Sequence, residues 1–448
     1  MRPAACFVQA GCLQWMEIAM ICRFLNHRAG VSVAACVLLL TVWTPVSAQS
    51  DGAAAAPLTL AGTVELATRS APLLGALDAR QQAASEELLR AGALPDPELM
   101  LGIDNLTATG NDAFAIGADP MTMRKIGFRQ RLPAPAKREA ERRMALAERD
   151  LRTAQMQVGT LTVGRASGEA WVLRWAAEHE RALLQALLAD TRLATRAARA
   201  RVSAGGNPGD VLAVRALELE IENQLSSSEA GIASANASLQ RWLGEQALRP
   251  LAMAPDFADP PLPEARALVL LDRTADLLEF AAHDARADAA VSAARAQRRP
   301  DFSIAAGYGQ RAASRADMIS LEFAIDLPLF TANRQDRGIA ASIATRDALH
   351  AEHEDARRAA VAAIRADYAQ WAALVAQTQR DQRERLPLLH DRSALALASY
   401  RSGQSLDGWI DARRDEVQAS IETTRRLQAL GNAWVGLAYR FQAQELQP

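Results

Sequence analysis

From Phe302 the chain alternates. Phe302, Ile304, Ala306 and Tyr308 fall on one side of an extended strand, and Ser303, Ala305, Gly307 and Gly309 fall on the other. Ile319, Leu321, Phe323, Ile325 and Leu327 then alternate with Ser320, Glu322, Ala324 and Asp326. An earlier pair of runs repeats the pattern. Leu99, Leu101 and Ile103 alternate with Met100, Gly102 and Asp104, while Ile126, Phe128 and Leu132 alternate with Lys125, Gly127, Arg129 and Arg131. A period of two with one greasy and one polar or small face predicts strands. At about ten residues each, tilted strands of this kind are long enough to cross a bilayer with the apolar face outward.

Each strand pair sits in the same setting. An alanine-rich helical stretch ends at Leu94-Pro95-Asp96 in one case and Arg299-Pro300-Asp301 in the other. The pairs close at Leu132-Pro133 and Leu327-Pro328, and a long helical tract follows each. The tracts are broken by glycine-bearing turns, Ser203 to Asp210 and Arg401 to Gly408. Equivalent landmarks lie about 200 residues apart, which predicts a duplication. The expected organisation is a leader at 1–48, a first repeat at 49–262 and a second at 263–448.

No proline interrupts residues 136 to 207, so a helix there could reach roughly 100 Å, against a globular mean of about 11 to 12 residues. Such tracts alone are compatible with a soluble coiled-coil rod, and two hairpins could cap a soluble helical domain. The strands favour a membrane. Four of them cannot span it alone, because an open sheet presents unsatisfied edges to lipid and the smallest single-chain barrels have about eight strands. Insertion therefore requires several copies to pool their strands.

The N-terminus adds a destination. Arg23 and Arg28 precede an apolar run from Ala29 to Trp43, followed by Pro45 and Val46-Ser47-Ala48, the layout of a secretory signal with cleavage before Gln49. Met16 and Met20 are alternative starts. A membrane anchor is the competing reading, but about 15 apolar residues fall short of the roughly 20 a spanning helix needs. Lipidation at Cys36 is another, although that residue lies in the middle of the apolar run. All four cysteines, Cys6, Cys12, Cys22 and Cys36, lie in this leader, so an exported chain would have no thiol for disulfides, catalysis or metal binding.

Charge excludes more than it suggests. The formal net charge is −2, without blocks of either sign, so nothing points to nucleic acid. After the leader no run of 18 apolar residues occurs, and no nucleophile elbow, phosphate loop or HExxH motif is present. The residues offer no enzyme reading.

The duplicated pattern, the Leu-Pro exits and the glycine turns resemble the TolC family of outer-membrane efflux proteins over essentially the whole exported chain. Arg201-Val202-Ser203-Ala204-Gly205 with Asp210-Val211-Leu212 resembles the family's helical-tip motif, and Ser405-Leu406 with Trp409-Ile410-Asp411-Ala412 is a weaker copy. Ala91 to Pro97 and Met121 to Gly127 resemble the heavy-metal branch, the CusC- and CzcC-like proteins. The resemblance implies an α+β membrane protein of TolC-like duplicated protomers. Two strand pairs from each of three copies would form a 12-stranded β-barrel in the cell outer membrane, above long α-helical barrel hairpins in the periplasm. It further implies no catalysis and no cofactor. The partners implied are a periplasmic adaptor and an inner-membrane RND transporter, with heavy-metal cations or, alternatively, drugs as cargo.

Residue by residue, the resemblance makes Gly205, Asp210, Val211, Leu212, Gly403, Ser405 and Leu406 the adaptor-docking tips. A tight interhelical turn needs the positive φ that glycine tolerates, and an aspartate at the next helix start accepts free N–H groups, so Asp210 is equally an N-cap. Asp407 and Asp411 are four apart and would form a ring of carboxylates at the aperture if Asp407 is helical. A solvated pair is the competing reading, and the family's usual acidic residue three before Asp411 is Gly408 here. No metal ligand set is expected. His350 and His353 lack a third ligand, and Met121 and Met123 read as loop packing.

Overall fold

A computed structural model describes residues 56–311 and 314–441. The expected leader, the four cysteines and the expected cleavage point before Gln49 lie outside the described residues. Helices α1 (Leu60–Ser70) and α2 (Pro72–Arg90) precede strands β1 (Glu98–Asp104) and β2 (Met123–Leu132), which lead into α3 (Pro135–Ser203) and α4 (Pro208–Leu243). The order then repeats, with α5 (Glu264–Val269) and α6 (Phe280–Ala296), β3 (Phe302–Gln310), β4 (Met318–Ile325), α7 (Gln335–Arg380), α8 (Leu386–Arg401) and α9 (Asp407–Ala438).

The four strands form one antiparallel sheet in the order β1-β2-β3-β4. The central pairing joins the two halves, with Gly127 opposite Gly307 and Leu132 opposite Phe302. Glycine is needed at 127, where a Cβ would stand 2.9 Å from the Ala306 carbonyl. The alternation read from the sequence is present: Leu101, Phe128, Ile304 and Leu321 share the apolar face, and Gly102, Lys125, Gly309 and Glu322 share the other. The strands are shorter than expected, however. β1 has seven residues and β4 eight, and Leu327 lies beyond the end of β4. Strand pairing runs slightly past β4, where the Asp326 N–H donates to the Asp301 carbonyl at 2.9 Å.

α3 runs unbroken for 69 residues, roughly 100 Å at 1.5 Å per residue. Proline at its first position costs no hydrogen bond, and Gly205 ends it at φ +93°. The second tract differs. Between α7 and α8 the helix widens into a π turn over Asp381–Arg385. Pro387 follows, and its ring clashes with the carbonyl four residues back, so the wider turn accommodates a proline inside a continuous helix. The helices lie side by side, with α3 against α4 and α9, and α9 against α7 and α8. Close approach of α9 to α3 depends on small residues such as Gly431, whose Cβ would meet Val172 at 2.7 Å.

Between sheet and tip, the non-repeated segments form a belt. Trp171 donates to the Leu58 carbonyl, Trp371 to that of Phe257 and Trp434 to that of Asp259, at 2.8 to 3.0 Å. These bonds satisfy the indole N–H groups, that of Trp171 fully buried, while pinning extended chain across the long helices. Among the described residues no helix is long and apolar enough to cross a membrane.

Candidate functional site

The glycine turns sit where α3 meets α4 and where α8 meets α9. Gly205 has φ +93° and Gly403 φ +113°, a region costly for a residue with a Cβ. In the first turn the Gly206 N–H donates to the Arg201 carbonyl at 2.9 Å, and in the second the Gln404 N–H donates to that of Ser399 at 3.2 Å. Both are reverse-turn closures of the helix end.

Arg201 ties the two turns together. Its guanidinium lies 4.5 Å from the centre of the Tyr400 ring and donates to the Tyr400 carbonyl and, at 3.5 Å, to that of Gln404. The sequence motif contains Arg201, but nothing in its spacing reveals a partner 199 residues away.

Asp210 is not the N-cap. Asn207 takes that place, accepting from the Gly209 N–H at 2.9 Å, with Pro208 at the first helical position. Asp210 stands in the first turn of α4, where a carboxylate still favours the positive end of the helix dipole. It also faces Tyr400, whose buried hydroxyl makes no hydrogen bond within the described residues. The Tyr400 pKa is raised, first by burial and then by Asp210.

The other tip residues divide. Leu212 is 73% exposed and Val211 is half-buried. Leu406 is buried against Val214, Trp409 and Ile410, so it holds the turn from beneath rather than presenting a surface. Ser405 stands one residue before Leu406, the N-cap of α9, accepting from the Asp407 N–H at 3.2 Å and donating to the Asp407 carboxylate at 2.8 Å. Asp407 is the first residue of α9, which puts it on the same helix as Asp411. Both are exposed.

Two buried ionic networks brace the helices. Arg413, 4% exposed, donates to Glu416 at 2.8 Å, to the Leu187 carbonyl at 3.0 Å and to Asp190 at 3.1 Å, while His390 meets Glu416 at 2.9 Å. The signal in the sequence is a pair of charges at apolar spacing along α9, among buried Trp409, Ile410, Val417 and Ile421. The second network is Glu218, bound by Thr195 and Arg215.

Burial of Glu218 would raise its pKa, but the Thr195 hydroxyl and the Arg215 guanidinium outweigh it and the net shift is downward. A depressed carboxylate stabilises the fold above its unfolded value, about 4.3, and that contribution is lost as pH falls through the folded value. Wild type is therefore expected to lose stability relative to Glu218→Gln as pH drops below about 4.3. Paired denaturation curves at pH 7 and pH 3.5 check this: the gap between wild type and variant narrows at the lower pH.

The remaining candidates are structural. His353 and His350 do gain a third neighbour, Asp284 of α6, at 3.1 and 3.5 Å from their Nδ1 atoms, and Phe280 stacks on His353 at 4.7 Å. Among the described residues no group of three or more His, Cys, Asp or Glu is arranged to hold a metal ion. Met121 is exposed, and Met123 lies across Gly309, its sulfur 3.0 Å from where a Cβ would stand. On the polar face of the sheet, charges are matched. Lys125 lies between Asp104 and Glu322 at 3.4 and 3.5 Å, and Glu98 takes Arg131 at 3.0 Å and Arg129 at 3.8 Å.

No known family profile matches the chain, and no curated protein does. Solved structures do. CusC is 18% identical with a TM-score of 0.68, over 86% of this chain and 93% of its own. The outer membrane protein VceC of Vibrio cholerae is 18% identical with a TM-score of 0.68, over 85% and 96%. The CmeC outer membrane channel of Campylobacter jejuni is 12% identical with a TM-score of 0.70, over 87% and 89%. The likeness covers nearly the whole of each chain, so the fold of this protein is the TolC-like one, a duplicated α+β protomer.

Proposed function

We propose that the chain is one protomer of the outer-membrane exit duct of a tripartite efflux system. Three copies join their sheets into a twelve-stranded barrel and their helices into a periplasmic tube. The observation that carries this reading is the sheet. Its apolar face exposes Ile319 at 80%, Leu321 at 66% and Phe323 at 74%, and β1 and β4 pair on one side only among the described residues. Water penalises both features, and a lipid-embedded barrel closed edge to edge removes both penalties. On this reading the two repeats run from 49 to 262 and from 263 to 448, and the leader directs export.

In the assembled duct the turns at Gly205 and Gly403 dock a periplasmic adaptor, with Leu212 and Val211 as the apolar contact and Asp210 and Ser405 shaping the rim. An inner-membrane transporter of the RND type supplies the energy, and the duct converts nothing chemically. The cargo assigned is heavy-metal cations, on the likeness of Ala91 to Pro97 and Met121 to Gly127 to that branch. Purified protein in planar bilayers should conduct ions, and a deletion strain should lose tolerance to copper, silver, zinc, cobalt or cadmium. Loss of drug tolerance alone would move the cargo to drugs, and a soluble monomer in the periplasmic fraction would remove the duct.

Asp407 and Asp411 form the aperture ring. Six carboxylates around a narrow opening attract cations and repel each other. Asp411→Ala is expected to lower cation selectivity and, with less repulsion across the aperture, to favour closure, read as a shifted reversal potential in a salt gradient and a smaller open fraction. An unchanged reversal potential assigns the pair to solvent.

A further inference from the structure

The two exits from the sheet to the long helices are built differently. After β2 only Pro133 and Ala134 precede α3. That connection is tucked in: Ala134 is 4% exposed, its N–H donates to Asp301 at 2.8 Å, and Lys137 donates to the same carboxylate at 2.7 Å. After β4 the chain takes a longer route to α7 through Asp326 to Arg334. It carries Leu327, Leu329 and Phe330 outward, Phe330 at 80% exposure.

Basic residues lie directly below this apolar segment. Arg298, two residues past the end of α6, donates to Asp336 of α7 at 2.8 Å, which brings Arg299, Arg334 and Arg337 into the same neighbourhood. All three are exposed. Of the nearby acids, Asp336 is engaged by Arg298 and Asp301 by Lys137, which leaves Asp326 alone against Arg299, Arg334 and Arg337. The patch therefore has an excess of positive charge.

We propose that the β4–α7 connection is a membrane-interface foot, with Leu327, Leu329 and Phe330 seated at the acyl-chain boundary and Arg299, Arg334 and Arg337 holding the phosphodiester of an anionic glycerophospholipid. This rests on the duct reading, which puts the apolar face of β4 in lipid. The segment continues that face from Ile325 at the strand end nearest the helices, where the hydrocarbon gives way to headgroups. Aromatic and aliphatic side chains followed by arginines are the arrangement that suits this boundary, since guanidinium forks match phosphate oxygens.

The test uses the exported chain in nanodiscs, which on the leader reading has no cysteine of its own, so that a fluorophore at an introduced cysteine has one site. A label at Thr331→Cys should be quenched by lipids brominated near the headgroup, and a label at Leu321→Cys by lipids brominated deeper in the chain. The Arg299→Gln, Arg334→Gln, Arg337→Gln triple variant should retain several-fold less phosphatidylglycerol, relative to phosphatidylcholine, than wild type through purification. A Leu321 signal without a Thr331 signal would mean that another copy covers the segment, and would overturn the foot alone. Equal phosphatidylglycerol retention would overturn the arginine site. If neither label is quenched, the duct reading fails with it.

Discussion

Leu321→Arg is expected to eliminate the assembled protein from the outer membrane. Leu321 lies midway along β4, opposite Ala306, on the face shared with Phe128 and Ile304. An arginine at the midplane of a lipid-facing strand costs about 2 to 4 kcal/mol, and a trimer would carry three of them. The combined penalty is comparable to the whole stability of a typical domain, about 5 to 15 kcal/mol. Ser320→Arg is the matched control. It adds the same side chain to the neighbouring position, on the face with Glu322 and Lys125, and should leave membrane levels within about twofold of wild type, as expected for a lumenal substitution. Quantifying trimer in outer-membrane fractions separates the two. Equal losses would mean that the two faces are not in different media.

The second large effect is Arg413→Ala. The side chain is 4% exposed and joins α9 to α3 through the Leu187 carbonyl and Asp190. Its removal leaves Glu416, 5% exposed, with the His390 ring as its remaining side-chain partner. Breaking one side of a buried pair costs about 3 to 5 kcal/mol, because the other charge stays desolvated. Replacing both charges with apolar groups of similar volume is far milder. Arg413→Met with Glu416→Leu is therefore expected to recover most of the loss. Hydrogen exchange along α3 and α9 reads this locally: fast exchange in the single variant, near-native protection in the double. If the double variant is as damaged as the single one, the network acts through shape rather than charge.

The fold was legible because its signals are periodic. Strand alternation, the absence of proline from the first helical tract and the two glycine turns each follow from local rules, and the duplication states each of them twice. Less legible was whatever depends on partners distant in the chain. Asp210 has the chemistry of a cap, yet Asn207 sits at the position where the backbone enters α4 and takes the bond. Leu406 reads as part of an exposed motif and is buried instead, because α9 turns that edge toward Val214 of α4. Arg201 at Tyr400 and Arg413 at Asp190 join halves of the chain about 200 residues apart, a distance over which no spacing rule operates. Pro387 was visible, but its effect was not: the π turn before it absorbs the clash and the helix continues.

The central claim is that the sheet of one chain is a third of a barrel. Native mass spectrometry of the protein extracted from outer membranes in mild detergent tests it most directly. Three chains per particle are expected, stable to dilution because edge strands pair between copies. A particle of one chain, carrying an intact sheet with both edges open, would contradict it.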